Sequence, residues 1–156
     1  MQLAIRLATV EDLPALASLY RQLNPDDEAT TPNQVAAVSE EILTSKHFEL
    51  IVAESGGDLV GTCYLNVIPN LPRGARPYAV IENVVVTRDL RNRGIGKALL
   101  RCALARAWER GCYKAMLQTG SKSEAKHRFY RSWGFSQTDK VAFVARPTSP
   151  GGPDVR

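Results

Sequence analysis

The feature that most constrains this chain is an apolar strand that leads, through a short polar link, into a long helix opened by two glycines. Tyr78–Thr87 is the most strand-like run in the sequence, and Gly94–Arg110 is apolar over more than half the circumference of a helix. A helix N-terminus presents unpaired backbone N–H groups and a partial positive charge, which attract phosphate oxygens. The junction therefore indicates a mixed α/β fold with a candidate phosphate site.

Two glycines with this spacing are weak evidence by themselves, because a tight turn without a ligand has the same pattern. Glycine lets the backbone approach phosphates closely, and Arg91, Arg93 and Lys97 add positive charge around the turn. A dinucleotide-binding turn is excluded because its third glycine would fall at Leu99. A P-loop is excluded because Lys97 is followed by alanine instead of serine or threonine.

The remaining hydrophobic pattern predicts one mixed domain over residues 1–146 and a flexible tail over 147–156. Helix-opening signals stand at Thr9 with Asp12 and at Thr31 with Gln34, and Gly56-Gly57-Asp58 indicates a hairpin. The predicted order is β-α-α-β-β-β-α-β-α-β. Beyond the central strand and helix, the predicted elements are Leu3–Leu7, a helix from about Val10, a helix from Pro32, Phe48–Ala53, Leu59–Ile68, Tyr113–Gln118, Lys122–Trp133 and Lys140–Ala145.

Composition and charge limit the class of protein. The chain has 156 residues with 44% apolar and 23% charged content, which is typical of a globular domain. It shows no signal-peptide pattern, no apolar run near the roughly 18 residues of a membrane helix, and three scattered cysteines. These features predict a cytoplasmic protein with reduced thiols and no zinc site. His47 and His127 show no ligand spacing and are expected at the surface, so no metal is predicted.

Positive charge concentrates in the second half of the chain. Between Arg88 and Arg131 there are twelve lysines and arginines and three acidic residues, against a net charge of +4 for the whole chain. This pattern favours a polyanionic ligand, either nucleic acid or a multiply phosphorylated cofactor, although solvated helix faces give the same pattern. A nucleic-acid module is disfavoured because the basic residues lack an interleaved aromatic platform.

The run Ile81–Leu100, IENVVVTRDLRNRGIGKALL, resembles the acetyl-CoA motif of the GNAT superfamily of N-acetyltransferases, with Arg91, Gly94 and Gly96 at its defining positions. Phe129–Phe135 is similar to the Tyr-x-x-x-Gly-Phe segment of the same family. The resemblance extends from Leu3 to about Arg146. It implies an α/β (α+β) fold in which helices flank a mixed, mostly antiparallel sheet whose two parallel strands splay apart, here Tyr78–Thr87 and Tyr113–Gln118.

The resemblance also implies a cofactor site for acetyl-CoA. Its pantetheine arm would pair with the central strand at Val84, Val85 and Val86, where one N–H would polarise the thioester carbonyl. The pyrophosphate would be wrapped by the turn made of Arg91, Asn92, Arg93, Gly94, Ile95, Gly96 and Lys97.

Glu82 is the candidate base because it interrupts an apolar strand. Alternation places Val80, Glu82, Val84 and Val86 on one face of the strand and Ile81, Asn83 and Val85 on the other. A buried charge is costly unless it is satisfied or used, although an exposed or arginine-paired strand-end glutamate is the alternative. An incoming ammonium must lose a proton before it attacks, and the resemblance implies that a carboxylate here assists. Asn83 either orients substrate or satisfies nearby backbone groups.

Tyr130 is the candidate acid. Taken alone, a tyrosine beside Phe129 on a helix is most often a core aromatic. The resemblance implies instead that its hydroxyl protonates the CoA thiolate as it leaves.

Within the family, Ile81–Val84 and Cys112–Lys114 are similar to the glucosamine-phosphate acetyltransferase branch more than to the ribosomal-protein branch, which favours a small amine such as an amino sugar over a protein N-terminus. The family resemblance implies direct transfer of the acetyl group to that amine. The alternatives are a protein or peptide amine acetyltransferase and a non-catalytic CoA-binding sensor or interaction domain. Neither nucleic acid nor a membrane is expected as a partner, and the resemblance allows a homodimer.

Overall fold

A computed structural model describes residues 2–146, so the predicted tail over 147–156 lies outside the described residues. Among the described residues the strands are β1 (Leu3–Leu7), β2 (Phe48–Ser55), β3 (Asp58–Ile68), β4 (Tyr78–Val86) and β5 (Ala115–Leu117). The longer helices are α1 (Leu13–Leu23), α2 (Pro32–Thr44), α3 (Ile95–Glu109) and α4 (Glu124–Arg131), and short helical turns cover Val10–Asp12, Pro72–Ala75 and Arg88–Leu90. Two compact units result, one ending at Thr119 and one beginning at Gly120, and each is described by itself.

The first unit is built on a five-stranded sheet with the order β1-β2-β3-β4-β5. The first four strands are antiparallel neighbours, whereas β4 and β5 run parallel. The hairpin between β2 and β3 turns through Gly56 and Gly57, whose φ values are 64° and 89°. These observations confirm the predicted mixed, mostly antiparallel sheet and its hairpin.

Helices cover both faces of this sheet. On one face, Leu16 of α1 packs on Leu50 and Val52 of β2, with Tyr64 of β3 at the margin of the cluster. On the other face α3 crosses β3 at Gly61. A Cβ added to Gly61 would lie 3.2 Å from a Leu99 methyl carbon and 3.3 Å from one of Ile95. Only glycine leaves room for this close approach of helix and strand.

Both predicted helix-opening signals are confirmed. The Asp12 carboxylate accepts the Thr9 N–H at 2.8 Å, and Gln34 accepts the Thr31 N–H at 2.9 Å. Arg6 of β1 also binds the Asp12 carboxylate, at 2.6 Å. This guanidinium lowers the pKa of Asp12, against the opposing effect of burial. The start of α1 is thereby fixed to the edge of the sheet.

Two strand predictions need correction. The predicted strand Lys140–Ala145 is wrong, because that segment has no regular structure and its Val141, Phe143 and Val144 are 79%, 93% and 61% exposed. Alternation supplied a strand-like pattern, but a strand also requires a neighbour to complete its hydrogen bonds. The strand predicted over Tyr113–Gln118 is shorter than expected and covers Ala115–Leu117.

A buried ion-pair cluster joins α3 to β2. Glu49 of β2 is 6% exposed and lies between Arg106 and Arg110 of the helix. Its carboxylate binds the Arg110 guanidinium at 2.7 Å and also accepts hydrogen bonds from Arg106. The pKa of Arg106 is raised, chiefly by its hydrogen bonds to Glu49. The cluster holds the C-terminal half of α3 against the sheet.

We expect Glu49→Gln to lower the free energy of unfolding by about 1–3 kcal/mol, because a buried carboxylate that binds two guanidinium groups would be replaced by a neutral amide. Urea denaturation monitored by circular dichroism measures the change. Glu40→Gln removes the same charge from an exposed position on α2 and should change stability by less than about 0.5 kcal/mol. Equal stability of the two variants would show that the Glu49 cluster contributes nothing.

Candidate active site

A β-bulge shapes the middle of β4. Tyr64 pairs with Glu82 and Thr62 pairs with Val85, so Asn83 and Val84 together stand opposite Cys63. Asn83 takes up the extra residue with a φ of 52°, in the left-handed region that asparagine tolerates better than most residues. Its side chain is exposed and makes no hydrogen bond among the described residues, so it does not satisfy the local backbone.

The bulge corrects the predicted alternation of β4. Up to Glu82 the register is continuous, so Val80 and Glu82 share the α1–α2 face with Tyr64, as predicted. Beyond the bulge the phase reverses. Val85 pairs with Thr62 and faces the α1–α2 side, whereas Val86 pairs with Gly61 and faces α3. The prediction that Val84 and Val86 share a face with Glu82 is therefore wrong, because the extra residue rotates the strand.

One edge of β4 is open beyond the middle of the strand. Pairing with β5 begins at Ala79 with Ala115 and ends at Ile81 with Leu117, while β4 continues to Val86. The Thr87 N–H donates to Val60 of β3 at 2.9 Å, so the polar groups of Val86 point to the opposite, open edge. By alternation those of Val84 do the same. A hydrogen-bonding edge is therefore available to an extended ligand.

The turn after β4 ends in a helix N-terminus with room in front of it. Gly94 has a φ of 84°, and a Cβ built on it would meet nothing within 4 Å. The first hydrogen bond of α3 runs from the Ala98 N–H to the Gly94 carbonyl at 3.0 Å. The N–H groups of Ile95, Gly96 and Lys97 precede that bond and have no partner within the helix. They form a cradle suited to phosphate oxygens.

Positive side chains surround the cradle. Arg91, Arg93 and Lys97 are exposed, and none takes part in an ion pair among the described residues. The Arg91 guanidinium donates to the Val86 carbonyl at 3.1 Å, which connects the turn to the open edge of β4. The residues present therefore fit a ligand with a diphosphate at one end and an extended amide-bearing arm at the other, as coenzyme A has.

Glu82 lies half-buried on the α1–α2 face, just before the bulge. Its carboxylate has no hydrogen bond or ion pair among residues 2–146, so neither the arginine-paired nor the fully exposed alternative describes it. Tyr64 is its cross-strand neighbour, and burial raises the pKa of that phenol. A carboxylate without a partner is free to accept a proton from a ligand.

Tyr130 belongs to the second unit, on α4. Its half-buried ring contacts those of Phe129 and Phe135 at centroid distances of 5.2 and 6.3 Å. The chain turns after α4 at Gly134, whose φ is 82°. The proton-donating role that the resemblance assigns to Tyr130 stays a prediction.

His127, on the same helix, forms a hydrogen bond with the Ser121 carbonyl at 2.6 Å instead of lying free at the surface as expected.

Residues 2–146 contain no group of three or more histidine, cysteine, aspartate or glutamate side chains arranged to hold a metal ion. Across the same residues, no helix has the length and apolar character needed to cross a bilayer. Cys63 and Cys112 are buried free thiols, and Cys102 is a partly exposed one.

Comparison with known proteins identifies the family. The model of the "Acetyltransferase (GNAT) family" matches residues 13–135. The chain therefore belongs to the GNAT acetyltransferases, a family of acetyl-CoA-dependent acyltransferases. The predicted GNAT fold is also confirmed.

Three similar proteins illustrate the relationship. A solved structure of a putative acetyltransferase from Agrobacterium tumefaciens superposes with a TM-score of 0.86 and 42% identity, covering 92% of this chain and 99% of that one. Glucosamine 6-phosphate N-acetyltransferase of Trypanosoma brucei is 40% identical over 51% of this chain and 52% of its own length. Aminoglycoside N(6')-acetyltransferase type 1 of Stenotrophomonas maltophilia is 25% identical over 94% of both chains. The first of these curated relatives is thus matched over about half its length.

The strand and the turn follow the sequence prediction, but the bulge was not predicted. The available signal was Asn83 itself, because an asparagine inside an apolar strand marks a position suited to positive φ. The three valines expected to contact the cofactor, Val84, Val85 and Val86, differ in their exposure in the structure. Val85 is 4% exposed, so Val84 and Val86 are the members left for a ligand.

We expect Gly94→Glu to abolish measurable coenzyme A binding in calorimetry, because the new side chain would bring a negative charge into the space in front of α3. Gly57→Glu is the matched control, since Gly57 also has a positive φ, of 89°, and open space around it. Both variants carry similar backbone strain, so a common loss of stability would cancel in the comparison. Unchanged affinity in folded Gly94→Glu protein would exclude this turn as the phosphate site.

Proposed function

We propose that this chain transfers the acetyl group of acetyl-CoA directly to the primary amine of a small molecule. The observation that carries the proposal is the continuity between the open edge of β4 and the N-terminus of α3. A hydrogen-bonding strand edge at Val84 and Val86 leads to a cationic cradle at Ile95–Lys97. Glu82 stands where the open edge begins, without a protein partner for its carboxylate.

The acetyl thioester supplies an activated acyl group when the cofactor is bound. The Ile95–Lys97 amides and nearby cations bind the diphosphate, while Val84 and Val86 pair with amides of the arm. A backbone N–H in this run stabilises negative charge on the carbonyl oxygen. Glu82, directly or through a water, accepts a proton from the acceptor ammonium so that a nitrogen lone pair is available. Tyr130, on the family resemblance of its segment, protonates the departing sulfur.

A small-molecule acceptor is supported by the two curated relatives, whose names specify an amino-sugar phosphate and an aminoglycoside. Saturable release of CoA that depends on an added amine is the experiment that tests the proposal. A panel of small amines and an N-terminal peptide would be compared. Tight CoA binding without release in any mixture would indicate a non-catalytic CoA-binding domain instead.

We expect Glu82→Gln to lower kcat/KM most at low pH, where few acceptor molecules are already neutral and proton removal matters most. Acetyl-CoA affinity should be nearly unchanged, because the carboxylate acts on the acceptor. A pH–rate profile from about 6 to 10 measures the effect. Asp58→Asn, which removes one exposed carboxylate at the β2–β3 hairpin, is the control. A parental profile in Glu82→Gln would leave Glu82 without a role in proton removal.

We expect Tyr130→Phe to lower kcat by about 10²-fold, the lower end of the range for losing a general acid, because a thiolate is a fairly good leaving group. Acetyl-CoA affinity should hold, since the interaction strengthens only as charge builds on sulfur. The ring contacts with Phe129 and Phe135 should hold as well. Pre-steady-state kinetics separates chemistry from product release. If folded Tyr130→Phe protein carries out the chemical step at the rate of the parent protein, Tyr130 contributes to packing only.

A further inference from the structure

Two cations are held on aromatic rings at the start of β4 and β5. The Lys114 ammonium lies 5.2 Å from the ring centroid of Tyr78 and 5.6 Å from that of Tyr113. The Arg73 guanidinium lies 5.9 Å from the Tyr113 centroid. The two rings meet edge to face at 6.4 Å. Cation–π attraction favours this placement of both cations over the rings. We call these four residues the cation clamp.

Within residues 2–146, the cations of the clamp form no ion pair with a carboxylate. The ion pairs among residues 2–146 involve neither Arg73 nor Lys114. Arg76, which follows on the same loop, donates to the carbonyls of Gly111 and Cys112 at 3.2 and 3.4 Å and also lacks an acidic partner. Three cations thus lie in this region without an ion-pair partner in the described part of the chain, an arrangement that favours binding of an anion.

The loop that carries Arg73 is strained. Arg73 and Ala75 have φ values of 63° and 57°, and Gly74 between them has 70°. Two non-glycine residues in the left-handed region cost free energy, and such strain persists where the surrounding contacts impose it. Here those contacts place Arg73 over Tyr113 and fasten Arg76 to the loop before β5. Strained backbone of this kind is concentrated at ligand sites.

The clamp shares a strand face with the candidate base. The β3–β4 register is continuous from Ile68–Tyr78 to Tyr64–Glu82, so Tyr78 and Glu82 point to the same side of β4. Glu82 lies four positions after Tyr78, a span of about 13 Å between Cα atoms. Lys114 reaches over the Tyr78 ring and therefore lies on that side. A small molecule can span the interval with one end at the clamp and the other at Glu82.

We propose that the clamp selects acceptors that carry an anionic group, phosphate or carboxylate, at the end opposite the reacting amine. This inference rests on the proposed function and specifies its substrate class. Arg73 and Lys114 bind the anion, and Tyr78 and Tyr113 hold those cations in position. The anion anchors the acceptor with its amine toward Glu82. Polycationic amines are disfavoured, because a second ammonium group would face unneutralised arginine and lysine side chains.

The test compares acceptors that differ only in the anion. Glucosamine 6-phosphate is matched with glucosamine, 6-aminohexanoate is matched with hexylamine, and neamine is the polycation. We expect the KM for glucosamine 6-phosphate, or for 6-aminohexanoate if a carboxylate is preferred, to be at least about ten-fold below that of its uncharged partner. Neamine should be the poorest acceptor. Higher ionic strength should narrow the difference within the preferred pair.

Variants of Lys114 assign the effect to the clamp. Lys114→Met should raise the KM for the preferred anionic acceptor about ten-fold while hardly changing that of its uncharged partner. Lys114→Arg keeps the charge and the ring contact and should restore selectivity. Lys46→Met is the matched control, since Lys46 is an exposed lysine outside the clamp. Thermal melting checks that each variant is folded.

Calorimetry makes the two proposals separable. With CoA saturating, glucosamine 6-phosphate should bind Lys114→Met about ten-fold more weakly than the parent protein if phosphate is the preferred anion, with 6-aminohexanoate as the corresponding probe for carboxylate. Acetylation of amines with no preference for either anion would overturn the inference and leave the proposed function standing. Failure to acetylate any amine would overturn the proposed function. Equal affinity of Lys114→Met and parent protein for both probes would then overturn the anion site as well.

Discussion

The candidate site depends on one extra residue in β4. Opposite Cys63 the strand carries both Asn83 and Val84, and the resulting bulge reverses which face each later side chain occupies. A bulge also bends and twists its strand, which accords with the end of β5 pairing at Ile81. Beyond that point β5 does not pair with the backbone of β4, and among its open-edge groups the Val86 carbonyl accepts a hydrogen bond from Arg91. The bulge thus accounts for two features of the candidate site. The edge of β4 is open beyond Ile81, and Glu82 faces a different side of the sheet from Val86.

The helix that begins at the candidate phosphate cradle is fixed at two places along its length. Near its start it touches β3 where Gly61 has no side chain, and near its end Arg106 and Arg110 bind the buried Glu49. A helix held at both ends presents its N–H groups in one direction before a ligand arrives. Such preorganisation lowers the entropy lost on binding. Residues far from the cradle therefore contribute to its quality as an anion site.

Local patterns in the sequence predicted the helix caps at Thr31 and the strand–turn–helix unit, because those signals involve neighbours along the chain. The bulge left one local signal, Asn83, but a register shift is a property of two strands, and Cys63 on the partner strand gives no sign of it. The strand expected at Lys140–Ala145 failed for a related reason, because alternation does not supply a pairing partner. Likewise, the contact of Arg73 with Tyr113 joins residues 40 positions apart, and no short motif encodes it.

The absence of a side chain at Gly61 also affects the distance between two parts of the candidate site. By allowing α3 to lie against β3, it fixes how far the Gly94 turn stands from the open edge of β4. A Cβ at this position would lie 3.0 Å from the Val85 carbonyl oxygen, so a larger residue would push helix and strand apart. The distance between the open edge of β4 and the cradle at Ile95–Lys97 would then change, and a ligand of fixed length would no longer reach both. The spacing of the candidate ligand groove is thus determined by a single hydrogen atom, at a position of β3 that lies outside the groove.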